Sequence, residues 1–345
     1  MKCLFLFFLS IQLYGLISQE GVVMGTGAAC VDLLVQIDDA FLEEVAAGHK
    51  GGGIQRTPEE IASILANAGK SPQAVPGGSS ANTIRALAKL RQPTAFLGYI
   101  ANDQWGNIFS QNFIDLGVDT RLGKALFTSH ILCLITPDAE RTFLAALPPI
   151  ENFDFSPNDL VNVRWLHLEA RSLFYPGYIE KLVKLASSLK IPISIDLSSF
   201  EIVRHYKETL LHLLTHYVNI VFCNEDEITA LTNLNPQAGC LALQEICPLV
   251  VVTLGKNGCL VGSEQTVTAF PAFPTTVLDT TGAGDYFAAG FLYGHLHQLP
   301  LKECARIGNR LGSAVIEEIG AELPEHKWNF LREFILTCRK TYATR

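Results

Sequence analysis

The sequence predicts an α/β protein in which helices cover both faces of a mostly parallel sheet. Short, mostly apolar runs are typical of strands that are buried on both sides, and segments with helical periodicity lie between them. The apolar runs are residues 163–170, 191–199, 218–227 and 249–255, and the helical segments include residues 177–189 and 206–217.

The composition fits a globular chain with a sizeable core. The chain has 345 residues, of which 48% are hydrophobic, and a formal net charge of −8. It has no Lys/Arg-rich run, so a nucleic-acid partner is disfavoured. The nine Cys include no Cys-x-x-Cys pair, which is typical of core residues in a reducing compartment and does not indicate a zinc site. We therefore expect a cytoplasmic protein without a membrane partner.

Residues 1–19 are the exception to this expectation. One Lys followed by a mostly apolar run resembles a secretory signal, but Gln12 interrupts the run and no clean cleavage site follows. We interpret these residues as a signal-like or extended N-terminal segment, with residues 20–345 as the main domain. A misplaced start and a genuine signal peptide are the two alternatives.

The first third of the chain combines strands with short helices. Pro76, Gly77 and Gly78 predict a turn, and Ser79 and Ser80 are candidate N-caps of the helix that follows. In order, the predicted elements are a strand-like stretch over residues 21–38, a helix over 59–68, a helix over 81–90, a strand over 94–100 and a helix over 107–117.

Further along, residues 130–147 predict two strands joined by a turn at residues 137–140. With the early strands they predict a small β-rich appendage, drawn from about residues 33–60 and 126–147. A hairpin over 255–262 and helices over 286–297 and 301–319 complete the predicted elements.

Residues 279–285 read Asp-Thr-Thr-Gly-Ala-Gly-Asp and precede the first of these last two helices. A strand-to-helix turn, in which glycine supplies a positive φ and Asp285 caps the helix, is the structural interpretation. Successive glycine amides at a helix start also form an anion-binding concavity. A carboxylate beside it is placed to take a proton from an attacking hydroxyl, so the segment fits phosphoryl transfer.

Two better-known nucleotide motifs do not describe this segment. The Lys-Ser/Thr pair of a Walker A loop is missing after the last glycine. No dinucleotide-type βαβ unit follows, which excludes a Rossmann fingerprint.

Four motifs in order resemble the ribokinase/PfkB-type family of carbohydrate and nucleoside kinases, from about Gly21 to near the end of the chain. They are residues 76–90 with a Gly-Gly pair, 224–227 with Asn-x-x-Glu, 250–261, and 279–291. The resemblance implies a ribokinase-like three-layer α/β/α sandwich with a small β-strand lid. Residues 50–53, 206–211 and 320–325 are most similar to the adenosine-kinase branch.

The resemblance implies roles for the phosphate and acceptor sides of the site. Asp285 is the expected catalytic base, beside a cradle for the transferring γ-phosphate that is formed by the amides of Gly282, Ala283 and Gly284. The acceptor's sugar hydroxyls are expected to contact Asp32, Gly77, Gly78 and Asn82. The structural alternatives are a loop Asp, a tight turn and a helix-facing Asn.

On the nucleotide side, the residues that match the family's ATP site are Thr253, Gly255, Gly258, Asn309 and Arg141. Asn309 is expected to face adenine or, alternatively, solvent, and Arg141 to face the phosphates or to be an ordinary exposed strand residue. Asn224 and Glu227 match the motif that organises Mg²⁺ through water, with a helix start as the compatible structural interpretation.

Two positions depart from the family pattern. Ala28 stands where adenosine kinases usually carry Asn, and Ala101 stands where Gly is usual. The first position lines the acceptor corner, so it bears on the identity of the substrate.

The leading hypothesis is an ATP- and Mg²⁺-dependent kinase that phosphorylates a primary hydroxyl of a ribose-containing substrate, with adenosine as the first candidate and purine salvage as its context. A sugar kinase of the ribokinase or fructokinase type is the alternative, and a non-catalytic nucleoside-binding protein is the third. The sequence leaves open a K⁺ site and the choice between monomer and homodimer.

Overall fold

The computed structural model describes residues 20–138, 140–150 and 153–340. Residues 1–19, predicted to be a signal-like or extended segment, and Ala139 of the predicted turn lie outside the described residues. Among the described helices, none combines the length and the apolar character that a bilayer crossing requires.

Within the described ranges the strands are β1 (Val22–Thr26), β2 (Cys30–Gln36), β3 (Gly53–Gln55), β4 (Gln73–Gly77), β5 (Thr94–Ile100), β6 (Asp119–Lys124), β7 (Ser129–Ile135), β8 (Arg141–Ala146), β9 (Val163–Glu169), β10 (Ile193–Asp196), β11 (Ile220–Asn224), β12 (Leu249–Thr253), β13 (Cys259–Ser263) and β14 (Thr266–Phe270). The helices are α1 (Asp39–Ala46), α2 (Pro58–Ala68), α3 (Ser79–Lys89), α4 (Gln104–Asp115), α5 (Tyr178–Ser188), α6 (Phe200–His205), α7 (Lys207–His216), α8 (Glu225–Thr232), α9 (Pro236–Leu243), α10 (Ala283–Leu296), α11 (Leu301–Val315) and α12 (Glu325–Lys340).

The main sheet confirms the predicted α/β class. In the described part of the chain its nine strands follow the order β14-β13-β12-β11-β10-β9-β1-β5-β6. The pairs from β12 to β6 are parallel, and only β13 and β14 are added antiparallel at one edge. Such a sheet must bury both faces, which explains the nearly continuous apolar runs in its strands.

Successive residues of one strand enter two different cores. Val23 packs with residues of α3, α10, α11 and α12 on one face of the sheet, whereas Met24 packs with residues of α5, α7 and α8 on the other. Because side chains alternate along a strand, the sheet becomes the middle layer of an α/β/α sandwich, as predicted.

A second sheet has the order β3-β8-β7-β2-β4. The segments expected to supply a lid contribute strands to it, but β4 was not predicted because Pro76 and the glycines after it indicated only a turn. The stretch over 21–38, predicted as one strand-like run, is divided between β1 in the main sheet and β2 in the second sheet. Helix α1 also went unpredicted.

Two helix starts differ from the sequence prediction. Gly78, at φ 97°, is the N-cap of α3, so Ser79 and Ser80 lie inside the helix and are not caps. Gly282, at φ 77°, is the N-cap of α10, so Asp285 lies in the first turn. Both helices begin a few residues earlier than periodicity alone predicted, because the glycines supply the left-handed backbone that turns the chain into the helix.

Candidate active site

The candidate site lies where the carboxyl ends of the parallel strands face the first turn of α10. A cleft of about 220 Å³ is lined by the ends of β10, β11 and β12 and by this turn. Ligands of open α/β sheets bind at this edge. The predicted residues that line the cleft are Asn224, Glu227, Thr253, Gly282, Ala283, Gly284 and Asp285, together with the unpredicted Ser79, Asp196, Ser198 and Thr280.

Asp285 is held by two side chains of α3. Ser79 Oγ donates to one carboxylate oxygen at 2.6 Å, and Asn82 Nδ2 donates to the other at 2.9 Å. Burial raises the pKa of Asp285 to about 6, and the two hydrogen bonds oppose this rise. Asn82, predicted to reach the acceptor's hydroxyls, contacts the predicted base in this structure. Ser79, predicted only as a candidate N-cap, contacts it as well.

Asp32 lies close to the same carboxylate. Burial raises the pKa of Asp32 to about 6, and the charge of Asp285 adds to the rise. A Cβ on Gly77 would lie 2.3 Å from an Asp32 carboxylate oxygen, and one on Gly78 would lie 2.4 Å from the carbonyl oxygen of Ala28. The two glycines therefore make room for Asp32 and for the β1–β2 loop, which brings the acceptor-side residues next to Asp285.

The glycines of the 279–285 segment differ in what surrounds them. Gly282 supplies the positive φ, and a Cβ there would lie 2.8 Å from Ala321 Cβ. The amide of Ala283 donates to the Thr280 carbonyl at 3.2 Å, so it is already engaged within the turn. Gly284 is exposed to the cleft, and a Cβ there would have no atom within 4 Å. The open face of the helix start is therefore at Gly284.

Asn224 and Glu227 form the capping box of α8. The Asn224 side chain accepts from the Glu227 amide at 2.9 Å, and the Glu227 carboxylate accepts from the Asn224 amide at 2.9 Å. The predicted helix start is thus correct, and it leaves Glu227 buried at the cleft. Burial raises the pKa of Glu227 to about 7.

Asp196 is an acidic residue of the cleft that the sequence analysis missed. It ends β10, and burial followed by the charges of Glu227 and Asp285 raises its pKa well above the ordinary value. An acid that directly follows a buried parallel strand is the sequence signal that would have found it. Three carboxyl groups therefore repel one another around one cleft, an arrangement that a bound cation would relieve.

Glu169, at the end of β9, is a second acid at a strand end that the sequence analysis missed. It is buried, with one carboxylate oxygen accepting from the Ala28 amide and the other from the Ser80 amide, both at 2.8 Å. It therefore ties the β1–β2 loop to the start of α3. This contact also fills the corner beside Gly27, where a Cβ would lie 2.4 Å from Glu169.

Three of the predicted ATP-side residues lie at the end of β12 and in the turn that leads to β13. Thr253 lies at the cleft and its hydroxyl donates to the Cys223 carbonyl at 3.3 Å. Gly255 has a φ of 51° and open space around it, whereas a Cβ on Gly258 would lie 2.0 Å from the Phe270 carbonyl oxygen. Gly258 is therefore required by the β-hairpin itself.

Asn309 is neither solvated nor free to turn toward a ligand in this structure. It is 5% exposed, and its side-chain amide donates to the carbonyl oxygens of Phe270 and Pro271 at 3.4 and 3.1 Å. It ties α11 to the segment after β14.

Arg141 connects the second sheet to the 279–285 segment. Its guanidinium lies 2.5 Å from a carboxylate oxygen of Asp279 and donates to the Thr281 hydroxyl at 2.9 Å. The carboxylate also accepts from the Gly320 amide at 2.6 Å. The expectation that Arg141 is an ordinary exposed strand residue is therefore wrong, and its contacts are with the loop that carries the glycines.

A wider cleft of about 430 Å³ adjoins Ala28 and Glu169. Its other lining is mostly apolar and aromatic, with the side chain of Phe174 49% exposed. The apolar and aromatic lining residues are Leu147, Pro148, Pro149, Ile150, Phe174, Tyr175 and Pro176, and the polar ones are Gln55, Arg171 and Ser172. The hydroxyl of Ser172 is buried without a hydrogen-bond partner among the described residues.

Comparison with known proteins identifies the family. Residues 48–328 match the model of the pfkB family carbohydrate kinases. The chain belongs to the pfkB family. This membership confirms the resemblance and shows that the protein is a kinase of a sugar or a nucleoside, with ATP as co-substrate.

Individual relatives of this pfkB kinase differ in their substrates. The 5-dehydro-2-deoxygluconokinase of Lacticaseibacillus casei is 27% identical over 71% of this chain and 81% of its own length. The aminoimidazole riboside kinase of Salmonella typhimurium is 27% identical over 63% of this chain and 73% of its own. The adenosine kinase structure from Sinorhizobium meliloti superposes with a TM-score of 0.81 at 27% identity, covering 91% of this chain and 99% of that one.

Proposed function

We propose that this pfkB kinase transfers the γ-phosphoryl group of ATP to the 5′-hydroxyl of a nucleoside, with adenosine as the first candidate. The observation that carries the proposal is the carboxylate of Asp285. It lies at the cleft in the first turn of α10, with both oxygens held by hydrogen bonds from α3. A pKa of about 6 makes it a stronger base than an ordinary Asp while it remains ionised at neutral pH.

The reaction assigns a separate task to each carboxylate of the acceptor side. Asp32 binds the ribose hydroxyls, since a carboxylate accepts from both members of a vicinal diol. Asp285 accepts the proton of the 5′-hydroxyl as its oxygen attacks the γ-phosphorus. The new O–P bond forms while the bond from phosphorus to the ADP oxygen breaks.

Charge on the transferring group is stabilised at the start of α10. The helix N-terminus and the Gly284 amide provide positive potential and a donor without a side chain in the way. Arg141, held beside this turn by Asp279 and Thr281, keeps the second sheet close to the phosphates. That contact supports the role of this sheet as a lid that excludes water.

The acidic side of the cleft fits Mg²⁺ held through water. No cluster of three His, Cys, Asp or Glu with the spacing of a direct metal site occurs in the described ranges, and Mg²⁺ characteristically keeps several waters. Asn224, Glu227 and Asp196 would hold these waters. Burial, followed by the charges of neighbouring acids, raises the pKa of both Glu227 and Asp196, and a bound cation would stabilise their ionised forms. Bound Mg²⁺ would supply charge neutralisation for the ATP phosphates.

The wider cleft beside Ala28 supports a nucleoside as the acceptor. A free sugar needs polar groups around its whole rim, whereas this lining is mostly apolar and presents the ring of Phe174. Such a surface suits a flat base. The small Ala28, where adenosine kinases usually carry Asn, leaves room at the same corner.

A sugar acid or a free sugar is the second candidate. Arg171 and the buried Ser172 hydroxyl, which has no hydrogen-bond partner in the described part of the chain, could bind a polar acceptor in the same cleft. The Lacticaseibacillus relative supports this candidate. The intact Asp285, Gly284 and Glu227 argue against a non-catalytic binding protein. A cytoplasmic location and a monomeric or dimeric state remain part of the proposal.

The test is a coupled ADP-release assay with Mg-ATP and a panel of adenosine, inosine, ribose, fructose and 5-dehydro-2-deoxygluconate. We expect turnover with adenosine, lowered about 10³-fold or more in Asp285→Asn. Asp226→Asn, an exposed acid in the first turn of α8, is the matched control and should retain activity. Turnover with a sugar alone would overturn the substrate, and full activity in Asp285→Asn would overturn the mechanism.

A further inference from the structure

An arginine-lined pocket lies at the amino ends of the parallel strands, on the side of the main sheet opposite to the candidate active site. It has a volume of about 370 Å³, within the usual range for small-molecule sites. Arg164 near the start of β9 lines it, whereas Glu169 at the other end of that strand lies in the candidate active site. The two residues are five positions apart along the strand, which corresponds to about 17 Å, so the pocket is outside the catalytic cleft.

The residues that line this pocket carry positive charge, and no acidic residue of the described lining offsets it. It contains Arg91, Arg164, Arg332, Arg339 and His297, beside an apolar wall of leucine, isoleucine and proline side chains. Among the described residues no Asp or Glu lines it. Four arginines line one concavity in a chain with a net charge of −8. Like charges brought together cost free energy unless negative charge offsets them, as Glu325 does for Arg332.

Two of the arginines have most of their donors available. Arg332 is engaged, donating to the Lys89 carbonyl at 2.9 Å and pairing with the exposed Glu325. Among the described residues, Arg339 has one side-chain hydrogen bond, with the Tyr293 hydroxyl at 3.3 Å, and it is exposed. Arg91 is also exposed, on a left-handed turn with φ 62°, and none of its side-chain contacts is with an acid of the described chain.

The positive charge of the pocket acts on His297, which also lines it. Burial, followed by the charges of Arg339 and Arg164, lowers the pKa of His297 to about 4. Both arginines line the same pocket as His297. Planar guanidinium forks match the oxygens of phosphate in bidentate geometry, and the leucine and isoleucine side chains provide an apolar wall beside them.

We propose that this pocket binds a phosphate group, as inorganic pyrophosphate or as the phosphate of a small organic ester, with Arg91 and Arg339 as its principal ligands. This site is distinct from the catalytic cleft and does not depend on the proposed function. The apolar wall would favour the organic ester, and the guanidinium groups would bind either form.

The test is calorimetric titration of the full chain with inorganic pyrophosphate and, separately, with phenyl phosphate. We expect saturable binding that weakens about tenfold or more in Arg91→Gln/Arg339→Gln, since two charge-assisted contacts are lost. Arg204→Gln removes an equally exposed arginine of α6 and should bind like the wild type. Tighter binding of phenyl phosphate would identify the organic ester as the ligand, and tighter binding of pyrophosphate the inorganic one.

The double variant should retain the kinase activity and the melting temperature of the wild type, because neither arginine touches the catalytic cleft. Absence of saturable binding to the wild type would overturn the proposal. Unchanged affinity in the double variant would also overturn it, since that result would place the anion elsewhere, including the catalytic cleft.

Discussion

At the scale of single residues, the Ser79 hydroxyl opposes the rise that burial causes in the pKa of the proposed base. Its 2.6 Å hydrogen bond stabilises the ionised form of Asp285, so Ser79→Ala should raise that pKa. Because the base acts only when ionised, activity is lost as the pH falls through this pKa. We expect the acidic limb of kcat/KM, near pH 6 in the wild type, to move upward by about 1 unit.

The check is the pH profile of kcat/KM in both proteins. Asp32 titrates in the same range, so the limb belongs to the pair. Thr83→Val is the matched control, because the Thr83 hydroxyl contacts the backbone carbonyl of Asp285 and not its carboxylate. If the acidic limb of the kcat/KM profile does not move in Ser79→Ala, the assignment of Asp285 as the base is contradicted.

A substitution at Gly284 can change the proposed anion site without a change in the stability of the helix. A Cβ there would meet no atom within 4 Å, so Gly284→Val should fold with a melting temperature close to that of the wild type. Its side chain would occupy the cleft where the phosphate is proposed to lie. We expect kcat/KM for ATP to fall about 10²-fold, measured by steady-state kinetics, and full activity would argue that the phosphate lies elsewhere.

At the scale of elements, glycines let α10 and α11 approach closely. A Cβ on Gly290 would lie 2.8 Å from the Ile307 carbonyl oxygen and 2.9 Å from Gly308 Cα. Gly290→Val should therefore force the helices apart and lower the free energy of unfolding by about 1–3 kcal/mol. Urea denaturation measures this loss. Gly284→Val, on the same helix, is the control, and equal stabilities of the two variants would contradict the packing argument.

At the scale of the whole molecule, the acceptor-side carboxylates connect stability to pH. The pKa of Asp32 is about 6 in the folded protein and near 4 when unfolded. The folded state therefore binds the extra proton between these values, and this stabilisation is lost as the pH rises through about 6. Asp32→Asn removes the cost of ionising a buried group beside Asp285.

We expect Asp32→Asn to gain more stability relative to the wild type at pH 7.5 than at pH 5. Chemical denaturation at the two pH values measures the difference. The buried His167, His295 and His297, whose pKa values are lowered, give the opposite slope, but they are present in both proteins and cancel. A gain in stability that is equal at both pH values would show that the pKa of Asp32 is not raised in the folded protein. A loss of stability at neutral pH from buried carboxylates is typical of functional sites, where activity is often gained at the expense of stability.

The sequence alone determined the fold class, the order of most elements and the family. Hydrophobic periodicity is a local property, so most strands of the main sheet and helices such as α5 and α7 were predictable from short windows. The edge strands β6 and β14 were not predicted. The Gly-Ala-Gly turn and Asp285 were predictable because the proposed anion site and the proposed base lie within one short segment. Strand β4 was missed because Pro76 and its glycines indicate a turn when the neighbouring strand is unknown.

Only the tertiary structure decided which side chains meet. Asn82 and Asp285 are 203 residues apart in sequence, and Arg141 and Asp279 are 138 apart, so no local pattern could pair them. Asp196 and Glu169 were recognisable in the sequence as acids at strand ends, but only the sheet order places them beside the two clefts. The chemistry of a site at the carboxyl edge of a parallel sheet comes from several strands and helices, and their assembly depends on long-range packing rather than on local sequence.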